Sequence, residues 1–191
     1  MAANSNNIYL ISISFYHVES VDCTSLVLSL SHSPQIIDIL GGDSVERTFI
    51  ILKPNTVRRG LIGEIIRRFE QRGIKIVGMK FLKITRQQAE RLYECHKGKE
   101  FYDELIEFMT SGPVVTLVLE APRVLELVRH IVGSTDPLKA EAGSIRGEFA
   151  LTVTKNLVHA SDCPDGFERE SSIFFNPDEL IEYSLDVQDD I

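Results

Sequence analysis

Residues 47–84 read RTFIILKPNTVRRGLIGEIIRRFEQRGIKIVGMKFLKI and carry the clearest alternation of structural patterns in the chain. Residues 47–53 form a short β-type run that stops at a proline, which cannot donate a hydrogen bond inside a sheet. Apolar residues then recur at helical spacing as far as Gly73, which suits a helix C-cap. They are Leu61, Ile62, Ile65, Ile66 and Phe69. Residues 74–84 return to a strand pattern with a bulge at Gly78, so the stretch predicts a strand–helix–strand unit.

A second unit of the same kind follows. Thr85 and Gln88 form a capping box that opens a helix running towards His96. Residues 101–109 predict another helix. Residues 114–119 are nearly all apolar, which is typical of a central strand covered on both faces.

The remaining pattern completes the order strand, helix, strand, helices, strand, helix, strand. Residues 122–133 predict a helix with Pro122 in its first turn and a glycine at its end, and residues 134–147 a polar loop. Alternating apolar residues predict a fourth strand: Phe149, Leu151 and Val153. A cap and a proline at residues 176–179 open a last helix. Two such halves predict an α+β, ferredoxin-like sandwich, a four-stranded antiparallel sheet with helices on one face, preceded by an N-terminal extension.

The composition is that of a soluble globular chain. Of 191 residues, 43% are hydrophobic and 25% charged, and the mean hydropathy is +0.01. These values exclude the collagen-like and wholly disordered classes of protein. The membrane-spanning class is excluded because the longest apolar runs are far shorter than the roughly 18 residues of a spanning helix. Three cysteines with no short pairing interval favour a reducing compartment. We therefore expect a cytoplasmic protein with no membrane partner.

The charge distribution marks a boundary near residue 44. Residues 1–46 hold five acidic residues and no Lys or Arg, whereas all 20 basic residues lie in the rest of the chain. We expect residues 1–44 to be an extension, either a mobile tail or a short strand added to a sheet edge, and residues 45–191 to be the folded domain. A targeting segment would need basic residues here. The net charge of −8 argues against general nucleic-acid affinity, so an anionic partner should be small.

Familiar phosphate and metal motifs do not occur. There is neither a G-x-x-x-x-G-K-[ST] loop nor G-x-G-x-x-G after a strand, so a nucleotide enzyme of this sequence would need side chains to bind phosphate. Cys95 and His96 are adjacent on a predicted helix and point to different faces, which does not suit zinc. Polar residues instead gather near the ends of predicted elements. They are Lys53, Arg129, Thr135, Arg146, Asn156, His159, Ser161 and Asp162. Each alone is typical of a solvated surface, but together they could converge on a triphosphate.

Residues 156–162, NLVHASD, resemble the N-x-x-H-G-S-D active-site motif of nucleoside diphosphate kinases. Five further segments resemble motifs of that family, in its order and at its intervals. They are residues 46–54, 58–61, 111–114, 133–137 and 145–147. The resemblance covers essentially everything from Val45 onward.

The resemblance implies a fold and a reaction. The fold would be the ferredoxin-like sandwich, with residues 135–147 forming part of a nucleotide cleft. The reaction would be a ping-pong exchange of the γ-phosphoryl group between nucleoside tri- and diphosphates through a phosphohistidine at His159. Mg²⁺ would be required and held by substrate phosphates and water, with no direct protein ligand. The family assembles from dimers, so we expect a homo-hexamer in preference to a tetramer or dimer, and no nucleic-acid partner.

The resemblance also implies roles for individual residues. One group would hold phosphates or sugar: Lys53, Arg129, Thr135, Arg146 and Asn156. Lys53 and Tyr93 would flank the transferred group, and Phe101 would stack on the base. Ser161 and Glu170 would brace the ring of the catalytic histidine.

Two positions depart from the family pattern. Asn55 stands where an aspartate is usual, and Ala160 replaces the glycine after the histidine. The alanine would be strained if that position required a positive φ.

The sequence leaves two alternatives to an active kinase. One is a catalytically weak regulatory or scaffolding relative that binds partners through the acidic extension. The other is a nucleic-acid binder that uses Arg58, Arg59, Arg67, Arg68 and Arg72. Those arginines fall on two sides of a helix, so we interpret them mainly as a solvated face.

Overall fold

A computed structural model describes residues 44–186. The predicted N-terminal extension, apart from Ser44, lies outside the described residues, so the division of the chain at residue 44 stays a prediction. No helix in the described part of the chain has both the length and the hydrophobicity needed to cross a bilayer.

Four strands form a single antiparallel sheet in residues 44–186. They are β1 Val45–Leu52, β2 Lys75–Lys83, β3 Pro113–Pro122 and β4 Val158–Ala160, in the spatial order β2-β3-β1-β4. The central pair, β1 and β3, matches along all eight residues of β1, whereas β4 pairs only with residues 50–52. This strand order confirms the predicted ferredoxin-like sheet.

Seven α-helices connect and cover these strands within the same residues. They are α1 Pro54–Arg58, α2 Ile62–Glu70, α3 Arg86–Leu92, α4 Tyr102–Thr110, α5 Val124–Val132, α6 Ile145–Phe149 and α7 Pro164–Ser171. Single 3-10 turns occur at Glu94–His96 and Pro177–Glu179.

Helices cover both faces of the sheet, so the prediction of helices on one face was wrong. Phe49 and Ile51 of β1 point into a core shared with α3, α4 and α7. Ile50 and Leu52 point into a second core shared with α2 and α5. All four side chains are fully buried. Because successive side chains of a strand face opposite sides, an unbroken apolar run needs cover on both.

Several local predictions are confirmed. Gln88 N donates to Thr85 Oγ1 at 3.2 Å and Thr85 N to Gln88 Oε1 at 3.0 Å, which is the capping box at the start of α3. The register of β2 against β3 shifts between Ile76 and Gly78, where the bulge was expected. Gly73 has φ +68°, but α2 ends at Glu70 with Gln71 as its C-cap, so the glycine follows the C-cap instead of occupying it as predicted.

The predicted fourth strand was placed too early in the chain. Phe149 ends α6, and Leu151 and Val153 lie in an exposed connection, while the true strand begins at Val158. Three residues are too few to show a strand period, so β4 gave no signal of its own. Pro122 likewise ends β3 instead of opening α5.

Candidate active site

A cavity of about 830 Å³ opens where the ends of β1 and β4 meet α5 and the loop before α6. Most of the site residues predicted from the sequence line it. They are Lys53, Tyr93, Phe101, Arg129, Thr135, Arg146, Asn156 and His159. The other two, Ser161 and Glu170, contact one another behind the histidine. Segments more than 100 residues apart in sequence therefore converge on one place.

His159 lines the cavity. It lies on β4, opposite Ile51 of β1, and its side chain is 19% exposed. Its Nε2 is 2.6 Å from Glu170 Oε2. Because a carboxylate oxygen only accepts hydrogen bonds, Nε2 carries a hydrogen, and in the neutral form of the ring the lone pair lies on Nδ1.

Glu170 is a buried carboxylate with its own set of donors. Ser161 Oγ donates to its Oε2 at 2.8 Å, and Arg169 donates to its Oε1 at 2.8 Å. Burial raises the pKa of Glu170, but the hydrogen bonds from His159 and Ser161 and the charges of His159 and Arg169 outweigh it, and the net pKa is lowered. The group is therefore an anion that orients the imidazole and stabilises positive charge on it.

Lys53 brings a buried ammonium to the cavity at the end of β1. Its Nζ donates to Asn156 Oδ1 at 2.6 Å, and Asn156 Nδ2 donates to the carbonyl of Thr135 at 3.1 Å. Burial, with a contribution from the charge of Arg146, lowers the pKa of Lys53 to about 7. Burial destabilises the charged form of Lys53, so an anionic group bound beside it would stabilise the ammonium.

Two guanidinium groups complete the positive side of the cavity. Arg146 donates to the carbonyls of Gly133 at 2.8 Å and Val158 at 2.7 Å, while its buried Nε has no partner in the described residues. Burial lowers the pKa of Arg146 to about 10, so it stays charged at neutral pH. Arg129 on α5 lines the cavity with an exposed guanidinium.

Aromatic rings form the opposite wall. Tyr93 meets His159 edge-on at 5.6 Å between centroids and stacks on His96 at 6.1 Å. His96 meets Phe101 at 5.6 Å, and Phe101 is half-exposed at the mouth. Burial raises the pKa of Tyr93 well above its usual range, and its hydroxyl is buried without a hydrogen-bond partner in residues 44–186. The wall therefore runs from the protonated phenol of Tyr93, beside His159, to the half-exposed ring of Phe101.

Comparisons with known proteins show the family of this chain. The sequence profile of the family "Nucleoside diphosphate kinase" matches residues 46–180. The chain belongs to the nucleoside diphosphate kinase family. It is 80% identical over 147 residues to a nucleoside diphosphate kinase of Fervidobacterium nodosum, a match that covers 77% of this chain and all of that protein. The corresponding enzyme of Thermosipho melanesiensis is 71% identical with the same coverage.

A solved structure shows the same fold. The nucleoside diphosphate kinase of Halobacterium salinarum, determined in complex with CDP, is 42% identical and superposes with a TM-score of 0.74. The match covers 76% of this chain and 97% of that one. As a member of the nucleoside diphosphate kinase family, this chain is an enzyme of the kinase class.

The turn at Leu157, within the family's histidine motif, is strained, and the sequence did not predict this. Leu157 has φ +74°, and Val158 N donates across it to the carbonyl of Asn156 at 2.9 Å, the hydrogen bond of a γ-turn. The Leu157 carbonyl accepts from Lys53 N at 2.8 Å and from Thr56 Oγ1 at 2.6 Å. These bonds hold the turn in a backbone region that non-glycine residues rarely occupy.

The two departures from the family pattern are accommodated. Ala160 lies in β4 and is not among the described residues with positive φ, so the alanine causes no strain. Asn55 Nδ2 donates to the carbonyl of Lys155 at 2.9 Å, while its buried Oδ1 has no partner in the described residues.

Several further residues line the cavity without a role predicted from the sequence, among them His96, Leu105 and Val153. The sequence pattern predicts Val153 in a strand and places His96 on a helix beside Cys95, in an arrangement that does not suit zinc. No local pattern distinguishes either from an ordinary surface residue, because each reaches the cavity through the tertiary fold.

A substitution next to Arg146 tests how tightly α6 is packed. A Cβ at Gly147 would lie 2.2 Å from the backbone oxygen of Glu141, so Gly147→Ala should destabilise the protein by about 1–3 kcal/mol. Gly63→Ala in α2 is the control, since a Cβ there meets nothing within 4 Å and alanine favours a helix by about 0.5–1 kcal/mol. Thermal unfolding measures the difference in stability between the two variants. Equal midpoints would contradict the close contact between Gly147 and the backbone of Glu141.

Proposed function

We propose that this enzyme transfers the γ-phosphoryl group from a nucleoside triphosphate to a nucleoside diphosphate by a ping-pong mechanism through a phosphohistidine at His159. The observation that carries the proposal is the bond between His159 Nε2 and Glu170, which leaves Nδ1 without a hydrogen-bond partner in residues 44–186 on a side chain that lines the cavity. The names of the relatives support the substrate class. So does the CDP bound to the Halobacterium salinarum enzyme.

In the first half-reaction the Nδ1 lone pair attacks the γ-phosphorus, and the bond from that phosphorus to the bridging oxygen breaks. The electron pair of that bond leaves with the nucleoside diphosphate. The imidazole becomes positively charged as the N–P bond forms, and the carboxylate of Glu170 stabilises this charge through the Nε2 hydrogen. In the second half-reaction a terminal phosphate oxygen of another nucleoside diphosphate attacks the phosphorus, and the N–P bond breaks.

The positive groups of the cavity stabilise the charge that spreads over the transferred group. Tyr93 contacts His159 edge-on and Lys53 lines the same cavity, so we assign both to the oxygens of that group. Arg129, Arg146, Thr135 and Asn156 would hold the remaining phosphates or the sugar. Phosphoryl transfer needs chiefly positioning and such electrostatic stabilisation from the protein.

The base would lie at the mouth of the cavity against the ring of Phe101. A π-face binds any base by stacking and does not read its hydrogen-bond pattern. We therefore expect poor selectivity among bases.

Mg²⁺ fits this cavity as a partner of the substrate. Among the described residues no group of three or more His, Cys, Asp or Glu could hold a metal ion, and Asp162 is the one carboxylate on the lining. Such a donor set suits an ion held by phosphate oxygens and water, which Mg²⁺ prefers. When bound, the ion would neutralise phosphate charge.

The remaining predictions about the whole chain extend this proposal. We infer that residues 45–191 form the kinase domain and residues 1–44 an accessory extension. The homo-hexamer and the cytoplasmic location are likewise proposed on the resemblance to the family.

Incubation with MgATP labelled at the γ-phosphate tests the mechanism. The expected product is a protein-bound label that is stable to alkali and labile to acid, and that moves to GDP when GDP is added. No label on a folded protein would contradict the proposal and favour the scaffolding alternative. Label that stays on the protein after GDP is added would contradict the ping-pong step.

A further inference from the structure

The helix that carries Arg146 is too short to hold its own position. Helix α6 has five residues, Ile145–Phe149, and isolated helices shorter than about 12 residues are marginal in water. Its N-terminus is capped by Ser144, whose Oγ accepts from Gly147 N at 3.2 Å. Its placement against the rest of the domain depends on contacts from other elements.

Arg68 of α2 supplies contacts at both ends of α6. One of its terminal nitrogens donates to the carbonyl of Gly143, just before the helix, at 2.9 Å. The other donates to the carboxylate of Glu148 in the last turn. The guanidinium also lies over the ring of Phe149, 4.8 Å from its centroid, and its Nε donates to Glu64 at 2.9 Å. The side chain is only 14% exposed, as expected of a group with so many partners.

Arg67, the preceding residue, shows that not every arginine of α2 contacts α6. Its side chain is 51% exposed, and within residues 44–186 it bonds only to Glu64 and to Gln71, the residue after α2. The interpretation of the arginines as a solvated face therefore suits Arg67 and is wrong for Arg68. Arg59 adds one further bond to α6, from its Nη1 to the carbonyl of Phe149 at 2.7 Å.

We propose that Arg68 is a positioning residue that fixes α6 so that the guanidinium of Arg146 faces the phosphates of the bound nucleotide. The inference rests on the proposed function. Arg146 is anchored at its tip by the carbonyls of Gly133 and Val158, and at its backbone by α6. Without Arg68 the backbone of Arg146 can shift with α6, which disturbs the bonds from its guanidinium to the two carbonyls, so the group loses its alignment while it keeps its charge.

A double-mutant cycle between Arg68 and Arg146 tests this link. Arg68→Met should lower kcat/KM for the nucleoside diphosphate by about 10- to 100-fold, the cost of a misplacement near 1 Å. Arg67→Met is the matched control and should stay within about twofold of the wild type. On an Arg146→Met background, Arg68→Met should have little further effect, because the group that it positions is gone. Arg68→Lys should rescue only in part, since an ammonium cannot bond at two sites in one plane.

The outcomes separate this inference from the proposed function. An equal loss from Arg68→Met on both backgrounds would overturn it, because Arg68 would then act independently of Arg146. Wild-type activity in Arg68→Met would also overturn it. A wild-type protein that takes no label from MgATP would instead refute the proposed function. If Arg68→Met fails to fold, Glu148→Gln removes one anchor of α6 and should show the same dependence on Arg146.

Discussion

Replacing His159 with asparagine should abolish both the protein-bound label and nucleotide turnover, with kcat at least about 10⁴-fold below that of the wild type. The amide of asparagine is polar and uncharged, so the pocket beside Glu170 loses no charge. It has no ring nitrogen with a basic lone pair, so the N–P bond cannot form. Quench-flow labelling with MgATP and a steady-state exchange assay measure the two losses.

His130→Asn is the control for this substitution. His130 lies on the same polypeptide as an exposed ring, 68% accessible, with Glu141 at 3.7 Å, and it does not line the active-site cavity. It should keep wild-type activity and labelling. A His159→Asn protein that still accepts label from MgATP would show that another residue is the nucleophile, and His96 on the cavity wall would then be the first to examine.

The longer elements of the fold could be predicted from local pattern because each contains more than one period. Helix α2 repeats its apolar residues over two turns, and β3 is an apolar run long enough to identify a central strand. Helices α1 and α6, with five residues each, and β4, with three, contain no such repeat. Their structure is imposed by partners distant in sequence, such as the pairing of β4 with β1.

Part of the candidate site could be predicted because several of its residues are close together in the sequence. Asn156, His159 and Ser161 lie close together in sequence, and their spacing in the motif made the resemblance specific. The strain at Leu157 could not be predicted, because leucine has no preference for positive φ and the turn is held by Lys53 and Thr56, about 100 residues away. Neither could the contact of Arg68 with α6, since the charge pattern of α2 does not distinguish it from Arg67.

Substitution of Lys53 should lower activity, and the titration of Lys53 itself should make the stability of the wild type depend on pH. Lys53→Met should lower kcat/KM by about 10²- to 10³-fold, the usual cost of removing one preorganised donor to a transition state. The pKa of the buried ammonium is about 7, below its ordinary value of 10.5. Between these two values the unfolded chain binds more protons than the folded one, so the free energy of unfolding rises with pH. Below pH 7 the destabilising effect of the buried charge is fully present.

Lys53→Arg separates the titration from the charge. An arginine stays protonated across this range, so its variant should lack the wild-type gain in thermal midpoint between pH 6 and pH 9, as should Lys53→Met. In the wild type, kcat/KM should fall above pH 7, because the free enzyme loses the Lys53 proton and must regain it when phosphates bind. Parallel midpoints and parallel pH–rate profiles for the wild type and Lys53→Arg would show that Lys53 is an ordinary charged lysine. The cavity would then bind phosphate without taking up a proton at that group.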